Sequence, residues 1–312
     1  MVAINNRGKQ LAKKSLHRKQ VLAYFANHEV CTVALEACGG SNYWGRELSK
    51  LGHNVKIIPA MKVKPYLVKQ KNDINDAAAI AEAASRESVK WLSPARVEQQ
   101  DLQNILRVRE RLVKNTTALS NQIRGLLMEY GIVCKRGHKA LLKLMPEIIN
   151  DDTNAQRQLW KLVFSDLYEQ LLSALNKVVQ YNKIAKEAVK QNETCQKILP
   201  LPGVGKLSAL AIAASVTDIR NFQNSRQFSA WLGLVPRQHS TGGKTKLLGI
   251  TKRGDKYTRT LLVHGGRVLT KLATKDKNPW LYHLKSRRGY NKAAVAQANK
   301  TARKIYAVLS ST

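Results

Sequence analysis

The sequence predicts an α/β domain, then a long helical hairpin, then a small, mainly helical C-terminal domain. β-prone runs alternate with helix-like stretches in residues 1–90. Apolar residues then recur at three- and four-residue steps across residues 96–190, and glycine-rich motifs separate helix-like segments from about residue 194 onward. Strand–helix–strand order is typical of a mostly parallel sheet, and the longer period is typical of amphipathic helices.

Residues 1–90 contain the elements of a βαβ unit. Two β-prone runs, Cys31–Leu35 and Asn54–Ile58, flank the amphipathic stretch Tyr43–Leu51. Upstream, Val2–Asn5 is typical of a strand that runs into a turn, and an alanine-rich helix is expected over about 75–85. These elements together predict a sheet with helices packed against it.

Residues 96–190 predict two long amphipathic helices. One apolar run extends from Leu102 to Leu127 and a second from Leu159 to Val179, and they are joined through Gly131–Asn154. Such a pair forms an antiparallel hairpin or a coiled coil. Two interpretations stay open: the helices pack within one chain, or they form an arm through which chains dimerise.

The charge balance indicates a polyanionic partner. Lys and Arg number 53 and Asp and Glu 21, which gives a net charge of 53 − 21 = +32 at pH 7. No apolar run approaches the roughly 18–20 residues of a membrane-spanning helix, and the N-terminus lacks a signal-peptide core, so nucleic acid is the favoured partner and a membrane is not. The four cysteines show no Cys-x-x-Cys spacing, which predicts reduced thiols in a cytoplasmic protein.

Three carboxylates form the first candidate site. Glu36 directly follows a β-prone run, at the carboxyl edge of the predicted sheet, where ligands bind in open α/β folds. Asp73 and Asp76 are three residues apart at a helix start and therefore share a face. Such carboxylates can hold the divalent cations of two-metal phosphodiester chemistry. The alternative is that the aspartates cap the helix and that Glu36 pairs with a lysine.

A short glycine-containing turn forms the second candidate site. Gly203 and Gly205 allow a phosphate to approach the backbone closely, and Lys206 opens a helix whose N-terminus carries free N–H groups. The spacing differs from that of a Walker loop. The predicted role is contact with a nucleic-acid backbone, and the alternative is a plain turn.

The third candidate site is a cation-rich loop that carries two hydroxyl groups. Ser240 and Thr241 precede two glycines, which leaves either hydroxyl accessible as a nucleophile. Nearby cations can stabilise a charged phosphoryl transition state. Alternatively, the segment is a solvated basic loop that holds the nucleic-acid backbone. Its basic residues are Arg237, Lys244, Lys246, Lys252, Arg253 and Arg259.

The motifs around these sites, in this order, carry a family resemblance over nearly the whole chain. The chain resembles the insertion-sequence-110 transposases, in particular their 1111 subgroup, and the stretch Phe228–Lys244 is highly specific for them. The other matching stretches are Leu35-Glu-Ala-Cys-Gly-Gly40, Lys71-Asn-Asp-Ile-Asn-Asp76, Leu201-Pro-Gly-Val-Gly205, Gly249–Asp255 and Arg288–Lys292.

The resemblance implies three domains. Residues 1–93 would form a RuvC-like domain of the ribonuclease-H type with a mixed sheet. Residues 94–193 would form a helical coiled-coil arm, and residues 194–312 a serine transposase domain with a helix-hairpin-helix-like DNA contact. The implied DNA contacts are Gly203, Gly205, Lys206, Arg237, Lys244, Lys252, Arg253 and Arg259.

The resemblance also implies a chemistry and partners. Glu36, Asp73 and Asp76 would bind Mg²⁺, and a serine would exchange DNA strands as the nucleophile. Ser240 is favoured for that role, and Thr241 is the alternative. A structured guide RNA and a dimer or tetramer are expected as well.

One departure from the family concerns its first strand. Members of the family begin with a strand that carries an aspartate, and Met1–Lys9 is instead similar to their second strand and its turn. The predicted α/β domain therefore lacks one metal-binding carboxylate. We expect DNA binding with weak or no strand exchange, and the alternative function is a catalytically inactive relic of a mobile element.

Overall fold

The computed structural model describes residues 1–68, 72–151 and 158–311 of the chain. It divides into two units, Met1–Gln100 and Asp101–Thr312. Each unit contains hydrophobic clusters of its own. The predicted matching residue Lys71 and part of the predicted 131–154 linker lie outside the described residues.

The predicted βαβ unit is confirmed in the first unit. Strands β3 (Thr32–Glu36) and β4 (Asn54–Ile58) pair in parallel, with Val33 opposite Val55. Helix α2 (Ser41–Lys50) connects them. Alternate strand residues face opposite sides of a sheet, so Val33, Val55 and Leu48 of α2 share one buried cluster.

The first two strands form a hairpin of their own. β1 (Val2–Ile4) pairs antiparallel with β2 (Gln10–Lys13). The Asn5 side-chain oxygen accepts hydrogen bonds from the backbone N–H groups of Arg7 and Lys9, each at 2.9 Å, which closes the turn. The strand expected at Val2–Asn5 is thereby confirmed.

The predicted mixed sheet differs from the structure. Among the described residues of the first unit, the strands form two separate two-stranded sheets, β1–β2 and β3–β4. β2 is exposed throughout, and β1 packs against helix α4 (Asp73–Ser85), not beside β3 or β4. The hairpin satisfies its own backbone hydrogen bonds through the tight Asn5 turn, so it pairs with itself.

Helices α3 (Ala60–Val63) and the alanine-rich α4 cover the other face of β3–β4. Helix α1 (Val21–Ala26) packs on the α2 side, through Leu22 and Phe25. Ala79 and Ala83 of α4 are buried in one cluster with Ile58 of β4, and Ala34 of β3 packs against that cluster. Alanine allows α4 to lie close to the strands, because its side chain is a single methyl group.

The two predicted long helices are present. α5 (Val97–Glu129) has 33 residues and α7 (Gln158–Gln191) has 34. They run antiparallel, because Leu106 of α5 shares a cluster with Ala185 of α7, whereas Ile123 shares one with Phe164. Within the chain, therefore, the apolar stripes of the two helices contribute to intramolecular cores.

The sequence did not predict helix α6 (His138–Ile149), which lies in the expected linker. Its Leu141 and Met145 are fully buried with Leu127 of α5 and Leu171 of α7. Gly137 precedes α6 with a φ of 99°, and Pro146 lies inside it. Both residues are turn signals, which is why the segment resembles a linker in sequence.

The rest of the second unit is built around one buried helix, α9 (Lys206–Ser215). Its residues from Ser208 to Ala214 are all buried, and the helix begins at Lys206, as the sequence predicts. The elements that share its hydrophobic cluster include α8 (Glu193–Ile198), α10 (Ser225–Trp231), α11 (Lys256–Leu272) and α13 (Tyr290–Ser310). The unit also contains β5 (Pro236–Thr241), β6 (Lys244–Ile250) and α12 (Pro279–Arg288).

Two adjacent glycines let α11 approach its neighbours closely. A Cβ added at Gly265 would lie 1.9 Å from the Gly203 carbonyl oxygen, and one added at Gly266 would lie 2.3 Å from the Ala294 carbonyl oxygen. The obstacles are backbone atoms, which cannot rotate away. The turn before α9 and helix α13 are therefore both packed directly on α11.

We expect Gly265→Ala to lower the free energy of unfolding by about 1–3 kcal/mol, because the added methyl group overlaps a backbone carbonyl. Gly125→Ala is the matched control: Gly125 is an exposed helical glycine with nothing within 4 Å of its added Cβ. That control should gain up to about 1 kcal/mol from helix propensity. Chemical denaturation measures both, and equal effects of the two variants would contradict the packing described here.

Candidate functional site

Glu36 and Asp76 lie on facing surfaces of the first unit. Glu36 is the last residue of β3 and is half-buried, and it shares the α4 side of the strand with Ala34, two residues earlier. On α4, Asp76 precedes the buried Ala79 by three residues and so lies on the strand-facing side. Asp73 lies one turn earlier and is exposed.

Asn72, and not Asp73 or Asp76, caps the N-terminus of α4 through hydrogen bonds. The Asn72 side-chain oxygen accepts from the backbone N–H groups of Ile74 at 3.1 Å and Asn75 at 2.8 Å. Asp73 and Asp76 lie in the first turn, where the helix dipole favours negative charge. No cation among the described residues forms an ion pair with them or with Glu36.

The carboxylates do not form an assembled metal centre. Across residues 1–68, 72–151 and 158–311, no group of three or more His, Cys, Asp and Glu side chains is arranged to hold a metal ion. Carboxylates repel one another unless a cation lies between them. Their oxygens are nevertheless the donors that Mg²⁺ prefers, and Glu36 and Asp76 lie on facing surfaces.

The turn before α9 contains two glycines, of which Gly203 is packed against α11 and Gly205 is accessible. Gly203 has a φ of 83°, and a Cβ there would lie 2.8 Å from Leu269 Cδ1. Its role in this structure is close packing. Gly205 is exposed with nothing within 4 Å of its added Cβ, and the exposed Lys206 follows it at the start of α9. Gly205 and Lys206 are therefore the accessible part of this site.

The predicted loop around Ser240 is a β-hairpin. β5 and β6 pair antiparallel, and the connecting Gly242 and Gly243 have φ values of 54° and 74°. Positive φ at both central residues is the geometry of a type I′ turn, which suits the twist of a two-residue hairpin. Every residue of the hairpin before Ile250 is exposed, so no apolar alternation marks its strands.

The two hydroxyl groups lie on opposite faces of this hairpin. Ser240 pairs with Thr245, whereas Thr241 pairs with Lys244. On its face, Ser240 accepts a hydrogen bond of 2.8 Å from Nε2 of Gln238. Sequence reasoning missed Gln238, which the two-residue spacing along a strand would have identified had the hairpin been recognised from its two glycines.

The cations of the hairpin lie with Thr241 and not with Ser240. Lys246 pairs with His239, and Arg237 is two residues before His239 on β5, so all three share the face of Thr241. Ser240 therefore presents its hydroxyl on a face whose strand neighbours are uncharged. The expectation that nearby cations surround the hydroxyl fits Thr241 within the hairpin.

Two turns flank the hairpin at its base, one at residues 232–235 after α10 and one at residues 251–255 before α11. The backbone N–H of Lys252, whose φ is 55°, donates to the Gly233 carbonyl at 3.2 Å. A Cβ at Gly233 would lie 2.0 Å from the Arg253 carbonyl oxygen, and one at Gly254 equally close to the Trp231 carbonyl oxygen. The two turns are thus in backbone-to-backbone contact.

Arg259 joins these turns and is not accessible to DNA. It is 8 % exposed, and its Nη1 donates to the carbonyls of Leu232 at 3.3 Å, Arg253 at 2.9 Å and Gly254 at 3.4 Å. The sequence predicted a DNA contact here, whereas the side chain is used inside the fold. Lys252 and the Arg253 side chain are exposed and stay candidates for contact with DNA.

Comparison with known proteins identifies the family. A transposase of insertion sequence IS1111A from Coxiella burnetii is 45 % identical over 99 % of this chain and 86 % of its own length. A probable family 20 transposase from Pseudomonas aeruginosa is 42 % identical over 96 % of this chain and 90 % of its own. A family model described as "Transposase IS116/IS110/IS902 family" matches residues 195–280, and a transposase model matches 1–132. The chain belongs to the IS110 family of transposases.

Membership of this family assigns a general activity. The IS110-family chain is a DNA transposase and binds DNA, and none of its described helices is long and apolar enough to cross a membrane. A relative of insertion sequence IS1328 from Yersinia enterocolitica is 35 % identical over 96 % of this chain and 90 % of its own length. Matches of this extent do not favour the predicted alternative of an inactive relic.

We expect Arg259→Met to lower the free energy of unfolding by about 1–3 kcal/mol, because buried carbonyl oxygens lose their donor. Arg253→Met is the control, since its side chain is exposed and it should change stability by less than about 0.5 kcal/mol. In DNA binding the order reverses: Arg253→Met should reduce the slope of log affinity against log salt by about 0.9. A stable Arg259→Met protein would contradict the role assigned to the guanidinium.

Proposed function

We propose that this transposase exchanges DNA strands with Ser240 as the nucleophile and with Mg²⁺ held by Glu36, Asp73 and Asp76. The observation that carries the proposal is the position of Ser240. It lies on an exposed hairpin with a rigid base, in a chain of net charge +32. An accessible hydroxyl on an ordered strand is what attack on a DNA phosphate requires.

The Gln238 contact supports Ser240 over Thr241. Nε2 of Gln238 donates to Ser240 Oγ at 2.8 Å, and a donor at that oxygen stabilises the alkoxide that attacks. Thr241 has Lys244 beside it, which favours it as a nucleophile, but its secondary hydroxyl is more hindered than the primary hydroxyl of Ser240. Lys244 and Lys246 are then placed to bind phosphates of the DNA backbone from the other face of the hairpin.

The proposed step is a transesterification. A bond forms between Ser240 Oγ and phosphorus, and the bond between phosphorus and one deoxyribose oxygen breaks. The serine proton passes to solvent water, and the leaving oxygen takes up a proton from water to become a free DNA hydroxyl end. The hydroxyl end of the exchanging strand later attacks the phosphoserine, which joins the new strand and restores Ser240.

Glu36, Asp73 and Asp76 would hold the divalent cation through carboxylate oxygens. When bound, the metal supplies charge stabilisation for phosphodiester chemistry. Support comes from the donor chemistry, from the facing positions of Glu36 and Asp76, and from the matched family.

The partners proposed for this reaction are DNA, a structured guide RNA and further copies of the chain. The charge of +32 is sufficient for more than one polyanion. If an RNA specifies the target by base pairing, the protein needs no sequence-specific contacts of its own. Exchange of strands needs paired nucleophiles, and a dimer or tetramer supplies them.

We expect Ser240→Ala to abolish the covalent protein–DNA adduct and strand exchange, because the variant lacks the proposed attacking oxygen. Thr241→Val is the matched control and should keep the adduct, since the two hydroxyl groups lie on opposite faces. Trapping with the DNA ends of the element, Mg²⁺ and guide RNA, followed by denaturing electrophoresis, measures the adduct. An adduct in Ser240→Ala that disappears in Thr241→Val would transfer the role to Thr241.

We expect Asp76→Asn to lower the rate of strand exchange by about 100-fold or more and to raise the Mg²⁺ concentration needed for half-maximal rate. Glu82→Gln is the control on the same helix, where Glu82 pairs with Arg86. DNA affinity at fixed salt should stay within about twofold in both variants. Equal rates for Asp76→Asn and the parent protein would remove the acidic site from the mechanism.

A further inference from the structure

A cavity of about 1060 Å³ lies between the base of the hairpin and helix α13. The proposed nucleophilic step makes no use of it. Its apolar lining includes Leu234 and Pro236 before and within β5, Leu247 of β6, and Val295 of α13. Leu247 is 63 % exposed, so an apolar wall is open to solvent at this point. A ligand with an apolar part would remove this exposed apolar surface from water.

Helix α13 has one face buried in the core and another face that lines the cavity. Ala294 and Ala298 lie on the face buried in the core, where Ala294 contacts α11. Lys292, Asn299 and Arg303 line the cavity, together with Val295. These residues follow one another at three- to four-residue steps, so they form a continuous stripe along the helix. The cavity is therefore built by a regular face of α13.

The charge of the cavity is of one sign. Among its lining residues are four cations, Lys252, Lys292, Lys300 and Arg303, and none of the lining residues carries a carboxylate. Unpaired cations around an apolar floor attract a ligand that combines negative charge with a flat or apolar body. A nucleotide has this combination, because its phosphate is anionic and its base has an apolar face.

Trp280 of α12 supplies an aromatic surface at the same place. It lines the cavity and is 43 % exposed. The ammonium group of Lys300 lies over its ring, 4.2 Å from the centroid. A base that replaces the ammonium group over the indole brings its phosphate close to that lysine, and a base on an aromatic ring with a cation at its phosphate is the arrangement of single-strand-binding surfaces.

We propose that this cavity binds an unpaired nucleotide of the nucleic acid on which the transposase acts, with its base against Trp280 and its phosphates on the four cations. The proposal rests on the proposed function in one respect, which is that the chain handles nucleic acid. A base within a duplex is covered on both faces and cannot enter, so the site discriminates unpaired from paired strands. DNA and RNA strands share this chemistry, and the experiment separates them.

The test uses tryptophan fluorescence of the full chain titrated with oligonucleotides of about 12 nucleotides. Single-stranded DNA, single-stranded RNA and a blunt DNA duplex of one sequence are compared at fixed salt. We expect strong quenching by at least one single strand and weak quenching by the duplex. Quenching by one single strand alone identifies that strand as the source of the nucleotide.

Variants locate the quenching. Trp280→Phe should remove most of it and keep the affinity, measured by anisotropy of a labelled strand, because phenylalanine still stacks. Trp280→Ala should weaken single-strand affinity about tenfold and leave duplex affinity within twofold. Trp91→Phe is the matched control, since Trp91 is 42 % exposed and lies under Lys56 in the first unit. That control should behave as the parent protein.

A charge variant tests the cations separately. Lys300→Gln should reduce the slope of log affinity against log salt for single strands by about 0.7, whereas Trp280→Ala should leave the slope unchanged. These measurements are repeated in the Ser240→Ala background, where strand exchange is absent by design. If single strands still quench the fluorescence of the Ser240→Ala protein, the cavity binds a nucleotide whether or not Ser240 is the nucleophile. The two proposals can therefore fail independently.

Three results would overturn the proposal. The first is equal quenching by duplex and single strands, and the second is unchanged single-strand affinity in Trp280→Ala. The third is a fluorescence change that follows protein concentration in the absence of nucleic acid and disappears in Trp280→Phe, since that would assign the cavity to a second copy of the chain. None of these results bears on whether Ser240 forms the adduct.

Discussion

The arrangement of the second unit around Ser240 depends on one buried guanidinium group. Nη1 of Arg259 donates to carbonyls of two turns, one that ends α10 and one that precedes α11. Those turns hold the two ends of the hairpin, and Gly233 and Gly254 bring their backbones into direct contact. A buried carbonyl without a donor costs about 1–3 kcal/mol, so the guanidinium fixes where the strands leave the core. The hydroxyl of Ser240 is thereby carried on a defined base.

The sequence predicts best the elements whose burial leaves a regular pattern. The parallel pair β3–β4 with α2 between them, the two long helices and the apolar helix α9 all follow from apolar spacing. The sequence also predicts that Glu36 follows a strand and that Asp73 and Asp76 lie at a helix start, and these positions agree with β3 and α4. Each of these features depends on residues that are near one another in the chain or share one period.

The features that the sequence did not predict depend on contacts without a period. The hairpin that carries Ser240 has exposed strands, so its pattern is that of a loop, and only the two glycines of its turn indicate a reversal. Arg259 resembles any other cation of a basic segment, because carbonyl acceptors leave no trace in the side-chain pattern. The cavity beside Trp280 is formed by β5, β6, α12 and α13, and its lining residues extend from Leu234 to Arg303. Such long-range placement follows from packing and not from local propensity.

Because the hairpin is exposed, its side chains are constrained by what they bind and not by the packing of the core. Residues 236–249 bury almost nothing, so the folded core tolerates nearly any side chain along them. By contrast, Gly233, Gly254 and Gly265 each face a backbone atom and admit no larger residue. Divergence between relatives can therefore alter how the strands engage nucleic acid at little cost in stability. In this enzyme, the residues that contact nucleic acid and the residues that the fold requires are therefore different ones.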